Sequence, residues 1–373
     1  MPLDFGKAKT LKDMKEEMQN YLMKFIEEAE ANKKEEEKWT GDKKIKTYII
    51  ESNNSEPEYA VWPESTQLIK TQDKNLRLVI TKINDVEKIN YLDFSDKRFW
   101  YLHSVEDSNN IKKIIKELIV RNRNKLDYCW YASNFIEKKV GFGEGEGFNI
   151  KFRNEFLTEE EDSENLKQFS MLFWGGRPHE VLDKLRQKDN LLATGMTLTQ
   201  IKQTFRTEYG VVKESINYNG NFTLNKGDSI ISYFDTLDKV KYEYFELLKK
   251  IEDEYRIKFD KNENGIKVNG MYSLIEFGKE LENLDLFINR IFSAKSPFRL
   301  WGIPQRLRKD FVRVLAVDLH TFDRFTLEIT PKYMRVFLSE NSCGNVITRL
   351  VTNLQLYFDS QIKLIGYEDE QLI

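Results

Sequence analysis

Cysteine and histidine are scarce in this chain, with two cysteines, Cys129 and Cys343, and three histidines among 373 residues. A secreted protein of this length ordinarily carries a disulfide framework, so the shortage points to a reducing compartment. No CxxC or HxxxH spacing occurs, which excludes the usual structural zinc sites. Long apolar runs are missing as well. No stretch approaches the roughly 18 consecutive apolar residues that a membrane-spanning helix needs. Residues 1–10 lack the apolar core of a signal peptide. The expected location is cytoplasmic, with no membrane partner. With only 7 prolines and 18 glycines, long disordered or low-complexity regions are not expected. Neither sign of charge dominates: 58 Lys and Arg stand against 61 Asp and Glu, for a net charge of −3. That excludes a globally basic nucleic-acid binder but leaves room for a local basic patch.

What is present is ample core material, 40% apolar and 13% aromatic. The length suggests two domains or three. Apolar residues at Leu11, Met14, Met18, Tyr21 and Phe25, widened by Leu22, Ile26 and Ala29, predict an amphipathic helix over 11–38. Its charged end, 27–38, is expected to project, and the helix is a candidate for pairing with a partner or a second copy. Short strands are predicted at Lys46–Glu51, Tyr59–Trp62, Leu76–Ile83, Phe99–His103, Tyr128–Ile136 and Phe148–Phe152. A helix capped by Asp107 or Ser108 runs to about Arg121. Six acids in Glu155–Glu164 mark a solvated loop or a boundary.

Further on, Gln168–Trp174 reads as a strand, and Pro178 opens a helix. Val211–Tyr218, Phe222–Leu224 and Ser229–Phe234 read as strands joined at Asn219-Gly220 and Lys226-Gly227. A helix follows over 237–255. Ile266–Val268 and Tyr272–Phe277 suggest a hairpin around Asn269-Gly270. A helix over 280–293, an antiparallel set at Phe311–Leu319, Phe325–Ile329 and Tyr333–Leu338, and a last helix over 345–360 complete the chain. Hairpin signals outnumber crossover signals, which predicts an α+β fold with mainly antiparallel sheets packed with helices. The expected organisation is an N-terminal helix over 1–40, an α+β domain over 41–160 and a second over 161–373.

Four groups of residues suggest chemistry. In Asp318-Leu-His320-Thr-Phe-Asp323, a strand continuing past Asp318 would set Asp318 and His320 side by side. Asp323 then lies beyond a bend, and Glu328 on the next strand. Asp318, His320 and Asp323 are candidate ligands for Mg²⁺, Mn²⁺ or Zn²⁺, with Glu328 as a fourth catalytic candidate of a hydrolase or nuclease. The plainer alternative is a capped turn. Glu328 and Lys332, four apart with Pro331 between them, do not fit a nuclease pair. Gly175, Gly176, Arg177 and His179, where a strand meets a helix start, form a candidate anion site.

The alternating glycines of Gly141–Gly147 lack the lysine and helix of a phosphate loop, and read as a mobile hairpin or lid. The strongest charge asymmetry is the stretch 290–313. Arg290, Lys295, Arg299, Arg306, Arg308, Lys309 and Arg313 oppose the single acid Asp310, with Trp301 and three phenylalanines interleaved. Basic residues neutralise phosphates while an exposed aromatic stacks on a base. No motif names a reaction. The expected function is a non-catalytic binding or adaptor protein of a larger assembly, contacting nucleic acid through 290–313. The alternative is a metal-dependent hydrolase centred on Asp318 and His320.

Overall fold

Alternating apolar residues in the first hundred positions build a sheet, and Gly- and Pro-free apolar stripes supply the helices that cover it. The computed structural model describes residues 5–31, 43–83, 85–141, 143–153, 168–188, 196–263 and 265–373. In chain order the elements are α1 (Leu11–Ala31), β1 (Lys46–Ser52), β2 (Thr66–Lys70), β3 (Leu76–Ile83), β4 (Val86–Asp93), β5 (Phe99–Ser104), α2 (Ser108–Arg121) and β6 (Leu126–Tyr128). Next come β7 (Glu144–Arg153), β8 (Gln168–Trp174), α3 (Pro178–Lys188), β9 (Thr197–Thr207), β10 (Gly210–Asn217), β11 (Asn221–Gly227) and α4 (Ile230–Glu254). The remainder are β12 (Arg256–Asn262), β13 (Gly265–Asn269), β14 (Ser273–Glu276), α5 (Leu284–Ile291), β15 (Leu300–Arg308), β16 (Phe311–Asp318), β17 (Arg324–Ile329), β18 (Tyr333–Ser339), α6 (Asn345–Tyr357) and β19 (Lys363–Ile365). The fold is α+β with mostly antiparallel sheets. Among the described residues no helix is long and apolar enough to cross a membrane.

The chain forms two units that interleave in sequence. One comprises residues 1–129, 142–145 and 202–241; the other comprises 130–141, 146–201 and 242–373. The acidic run expected to mark a boundary falls within 154–167, outside the described residues.

In the first unit the strand order is β2-β3-β4-β5-β1-β11-β10. One face carries Tyr48, Ile50, Val79, Leu92, Trp100 and Leu102, which pack against Ile111, Ile115, Leu118 and Ile119 of α2. Each of these aliphatic side chains contributes about 1.5–3 kcal/mol on burial. Asp107 caps α2 by accepting from the amides of Asn109 and Asn110. The other face meets α1 and the first turns of α4. Lys15 lies over the ring of Phe234, 4.5 Å from its centroid, and Tyr91 donates to Glu17 at 2.8 Å. Met14, Met18, Tyr21 and Leu22 of α1 are buried. The apolar stripe that sequence offered to a partner or second copy is therefore covered within its own unit. The charged end expected to project lies partly in residues 32–42, outside the described set.

Several predicted elements change identity. Tyr59–Trp62 is no strand, because Pro57 opens a single helical turn, Pro57–Tyr59. The strand predicted over 128–136 ends at Tyr128, and short helical turns occupy 133–140. Ser229–Phe234 begins α4: the Ser229 hydroxyl accepts from the Ser232 amide at 3.2 Å, a helix cap. Lys226-Gly227 thus leads into a helix, not a hairpin. The turn predicted at Asn269-Gly270 joins no hairpin either, since β13 pairs with β12 and β14 with β18. Glu144–Gly147 belongs to strand β7, not a lid. Within it a Cβ on Gly147 would lie 2.4 Å from the carbonyl oxygen of Phe173, so only glycine admits β8 at that distance.

A polar row crosses the helix-covered face of the first unit. Thr47 pairs with His103 across β1 and β5, and its hydroxyl lies 2.8 Å from His103 Nδ1. Tyr233 of α4 donates to the same Thr47 oxygen at 3.0 Å. On β10, Glu214 accepts from Gln203 at 2.9 Å. Burial pushes the Glu214 carboxyl up to about 8, despite hydrogen bonds from Gln203 and Thr236. Burial, with the charge of Lys15, pushes the His103 imidazole down to about 3. Both are therefore neutral near pH 7.

The signs of the two linkages oppose each other. Glu214, raised on folding, contributes stability below its ordinary value of 4.5 that is lost as pH rises through about 8. His103, depressed, contributes stability above its ordinary value of 6.5 that is lost as pH falls toward about 3. The two slopes cancel between those ordinary values and leave a net decline above the histidine value. Glu214→Gln is expected to remove that decline, which in wild type amounts to about 2 kcal/mol between the ordinary histidine value and about 8. Urea unfolding on both sides of neutrality measures it.

Candidate nucleic-acid interface

The sheet of the second unit runs β13-β12-β18-β17-β16-β15, with β14 alongside β18 and β19 alongside β14. Strand periodicity gives it a covered face and an open one. Val312, Val314, Ala316 and Asp318 of β16 point inward with Phe325, Leu327 and Ile329 of β17 and Met334, Val336 and Leu338 of β18. Helix α6 is buried along nearly its whole length, including Asn345, Thr348, Arg349, Thr352, Asn353 and Gln355. Polar groups along it are tied into the unit at Asn345, Thr348, Arg349 and Gln355. The Gln355 side chain accepts from Ser133 N at 2.7 Å and donates to the Ile362 carbonyl at 2.8 Å. The Tyr244 hydroxyl meets Asn345 and Thr348 and accepts from Trp130 N at 3.0 Å.

Asp318 is part of this interior. Its carboxylate forms a buried ion pair with Arg349 of α6 and accepts from the His320 amide at 2.6 Å. The strand ends at Asp318, and residues 319–321 form a turn, so Asp318 and His320 do not share a strand face as the sequence pattern suggested. Asp323 accepts from Cys343 N at 3.3 Å; burial raises its carboxyl against hydrogen bonds from Thr321, Cys343 and Ser342.

Glu328 lies on the opposite face, held by Arg313 at 2.7 Å and Arg335 at 3.6 Å. The sheet itself thus separates Glu328 from Asp318. Among the described residues no group of three or more His, Cys, Asp or Glu comes together to hold a metal. The expected Asp318, His320 and Asp323 metal set, with Glu328 beside it, is corrected to a capped turn and two ion-paired carboxylates.

The glycine turn also resolves into ordinary contacts. Gly175 has φ 152° and its amide donates to the Glu146 carbonyl at 3.0 Å. Gly176 and His179 are exposed, and the Arg177 guanidinium lies 3.7 Å from Glu180. The cationic group of the expected anion site already faces a carboxylate.

From Leu300 on, the basic stretch lies in a β-hairpin. Leu300 pairs with Asp318, Trp301 with Val317, Ile303 with Leu315 and Gln305 with Arg313, up to a bulge between Arg306 and Arg308. A Cβ on Gly302 would lie 2.6 Å from Val314 Cγ1 and 3.1 Å from Phe292 Cδ1, so glycine lets β15 lie close against β16 and the end of α5. Trp301, Ile303 and Leu315 are 49%, 50% and 45% exposed. Arg308 and Lys309 are exposed at the hairpin end, and Arg306 pairs with Asp285. Arg290 and Arg299 are half-buried and Lys295 exposed before the hairpin.

Register extends this face across the sheet. Ile303, Leu315, Thr326 and Phe337 are successive cross-strand partners, and Tyr272 lies beyond, its ring 5.6 Å from that of Phe337. The next row reads Gln305, Arg313, Glu328 and Arg335. The Arg335 guanidinium lies over Tyr272 at 5.0 Å and Tyr333 at 5.3 Å. Tyr272, Arg324, Tyr333, Arg335 and Phe337 thus belong to the same surface, although no local pattern in sequence marks them.

The sequence matches the family described as MJECL33-like protein over residues 4–373. A protein of Methanocaldococcus jannaschii named "Uncharacterized protein MJECL33" is 29% identical over 354 residues, spanning 85% of this chain and 85% of its own length. No solved structure matches.

The Asp318–Arg349 pair can be tested for its role. Removing one partner strands a buried charge, so Arg349→Met is expected to cost about 3–5 kcal/mol in urea unfolding. The double variant Asp318→Leu/Arg349→Met recovers most of that loss. A metal ligand would behave otherwise: Mg²⁺ or Mn²⁺ would raise the melting temperature of wild type, and no such rise is expected.

Proposed function

The chain belongs to the MJECL33-like protein family, and we propose that it is a non-catalytic binding protein that holds single-stranded nucleic acid on the open face of its second sheet, as a component of a larger intracellular assembly. The observation that carries this reading is one surface with two kinds of group. Trp301, Ile303, Leu315 and Tyr272 supply exposed apolar and aromatic area beside the half-buried Phe337, and Arg324 lies among them with Arg313 and Arg335, whose two guanidiniums share the one carboxylate of Glu328. Stacking on an aromatic ring contributes about 1–3 kcal/mol per base and tolerates any sequence, because every base has a π-face. Arg308 and Lys309 at the hairpin end extend the positive charge along a backbone path.

The face suits this role better than the adjoining edge does. Strand β15 contains Pro304 and arginines, both of which discourage strand addition along an edge. A net charge of −3 means that attraction is local, so affinity falls steeply with salt.

Fluorescence anisotropy with labelled single-stranded DNA and RNA at low salt tests the proposal. Trp301→Ala is expected to weaken binding by about 1–3 kcal/mol. Arg308→Ala and Lys309→Ala are each expected to lower the salt slope by about 0.7. Failure of wild type to bind any such oligonucleotide at low salt refutes it.

A further inference from the structure

Strand β13 lies at the other end of the same sheet, and its edge differs from that of β15. Strand β12 joins the sheet only at its base, where Arg256 pairs with Leu338 and Ile257 with Ser339. From Lys258 to Asn262 the pairing is with β13, which ends the strand order. Among the described residues the outer part of this ribbon thus has no third strand or covering layer of the kind that normally stabilises a hairpin in water. Phe259 lies opposite Val268, with Ile266 two residues along on the same face. These three side chains are 59%, 58% and 65% exposed. Residues 265–269, Gly-Ile-Lys-Val-Asn, contain no proline and one charge, so the devices that normally blunt an edge are nearly missing.

We infer that β13 is a docking edge for an extended segment of a partner protein in which an acidic residue stands between apolar ones. With Asn262 opposite Gly265, hydrogen-bonded pairs alternate along the ribbon. The amides and carbonyls of Gly265, Lys267 and Asn269 face β12, and those of Ile266 and Val268 face outward. An added antiparallel strand takes up these outward groups. Its residues opposite Ile266 and Val268 extend the apolar strip of Phe259. The residue opposite Lys267 emerges on the other face beside an exposed ammonium, where a carboxylate is favoured. Asp260, across from Lys267, already accepts from the Asn269 side chain. A second copy fits less well, because two-fold pairing about the middle of β13 sets two copies of Lys267 directly opposite.

Fluorescein-labelled Val-Glu-Val-Glu-Val-Glu, with Val-Lys-Val-Lys-Val-Lys as its counterpart, serves as the probe in anisotropy titrations of the full chain. The acidic peptide is expected to bind saturably, about tenfold or more tighter than the basic one. Lys267→Glu reverses that preference. Val268→Pro removes an outward N–H without touching the β12 pairing and weakens the acidic peptide about tenfold or more. Equal binding of the two peptides, unchanged binding to Val268→Pro, or no saturable binding to wild type overturns the inference. So does a concentration-dependent dimer abolished by Val268→Pro, which assigns the edge to a second copy. Loss of oligonucleotide binding in Lys267→Glu, without any effect on the peptides, assigns the ribbon to nucleic acid and overturns it too. If Val268→Pro loses folded structure, the charge exchange at Lys267 alone decides.

Discussion

The buried ion pair between Asp318 and Arg349 is the constraint around which the second unit is organised. Neither charge is tolerable in the interior without the other. Their pairing fixes the end of β16 against α6, a helix with no solvent-facing side. From that point the neighbouring hairpin follows. Asp318 pairs with Leu300, and the Leu319 amide donates to the Arg299 carbonyl at 2.8 Å, which sets where β15 begins. A one-residue slip would turn Trp301 and Ile303 inward and Gly302 outward, where Gly302 could no longer make its close contact with β16. The inner face is thus filled by α6 and its polar ties, and the outer face is left for Trp301, Arg313, Phe337 and Arg335.

The Glu214 and His103 sites of the first unit and the Asp318–Arg349 site of the second bury polar groups by opposite means. In the second, a carboxylate meets a guanidinium. In the first, Glu214 and His103 are kept neutral, one by holding its proton and the other by lacking one. A neutral pair needs no counter-ion but becomes sensitive to pH, whereas an ion pair is insensitive near neutrality but fails if either member is lost.

The sequence reveals elements whose side chains alternate or recur with regular period. The stripe of α1, the helix capped at Asp107, the strands β3, β5, β16, β17 and β18 and the antiparallel character of the sheets are all legible in it. Strand β15 is not, because an edge strand with one open face and an exposed end carries Arg306, Arg308 and Gln305 and so imitates a loop. Ser229–Phe234 misleads because its β-branched and aromatic residues belong to a helix, with Ile230, Tyr233 and Phe234 buried, whose cap, Ser229, reads locally as a turn. The Asp-x-His pattern promises two adjacent side chains only if the strand continues, and it stops at the aspartate. The basic-aromatic stretch 290–313 is visible as composition. Its companions Tyr272, Arg324, Arg335 and Phe337 are not, since cross-strand register alone brings them to it.

The first unit draws its strands from distant parts of the chain. Lys46–Tyr48 of β1 pairs with Asn221–Thr223 of β11, and the turns of α4 that cover the face come later still. A ribosome adding about 5–20 residues per second makes these pieces roughly ten to thirty seconds apart. During that interval the face of β1 and β5 that α1 and α4 cover together still lacks α4, and residues 130–201 are already emerging. The N-terminal third therefore behaves as an unfinished template on the ribosome. Its completion, and the solubility of the nascent chain until then, depends on a segment that has yet to be synthesised.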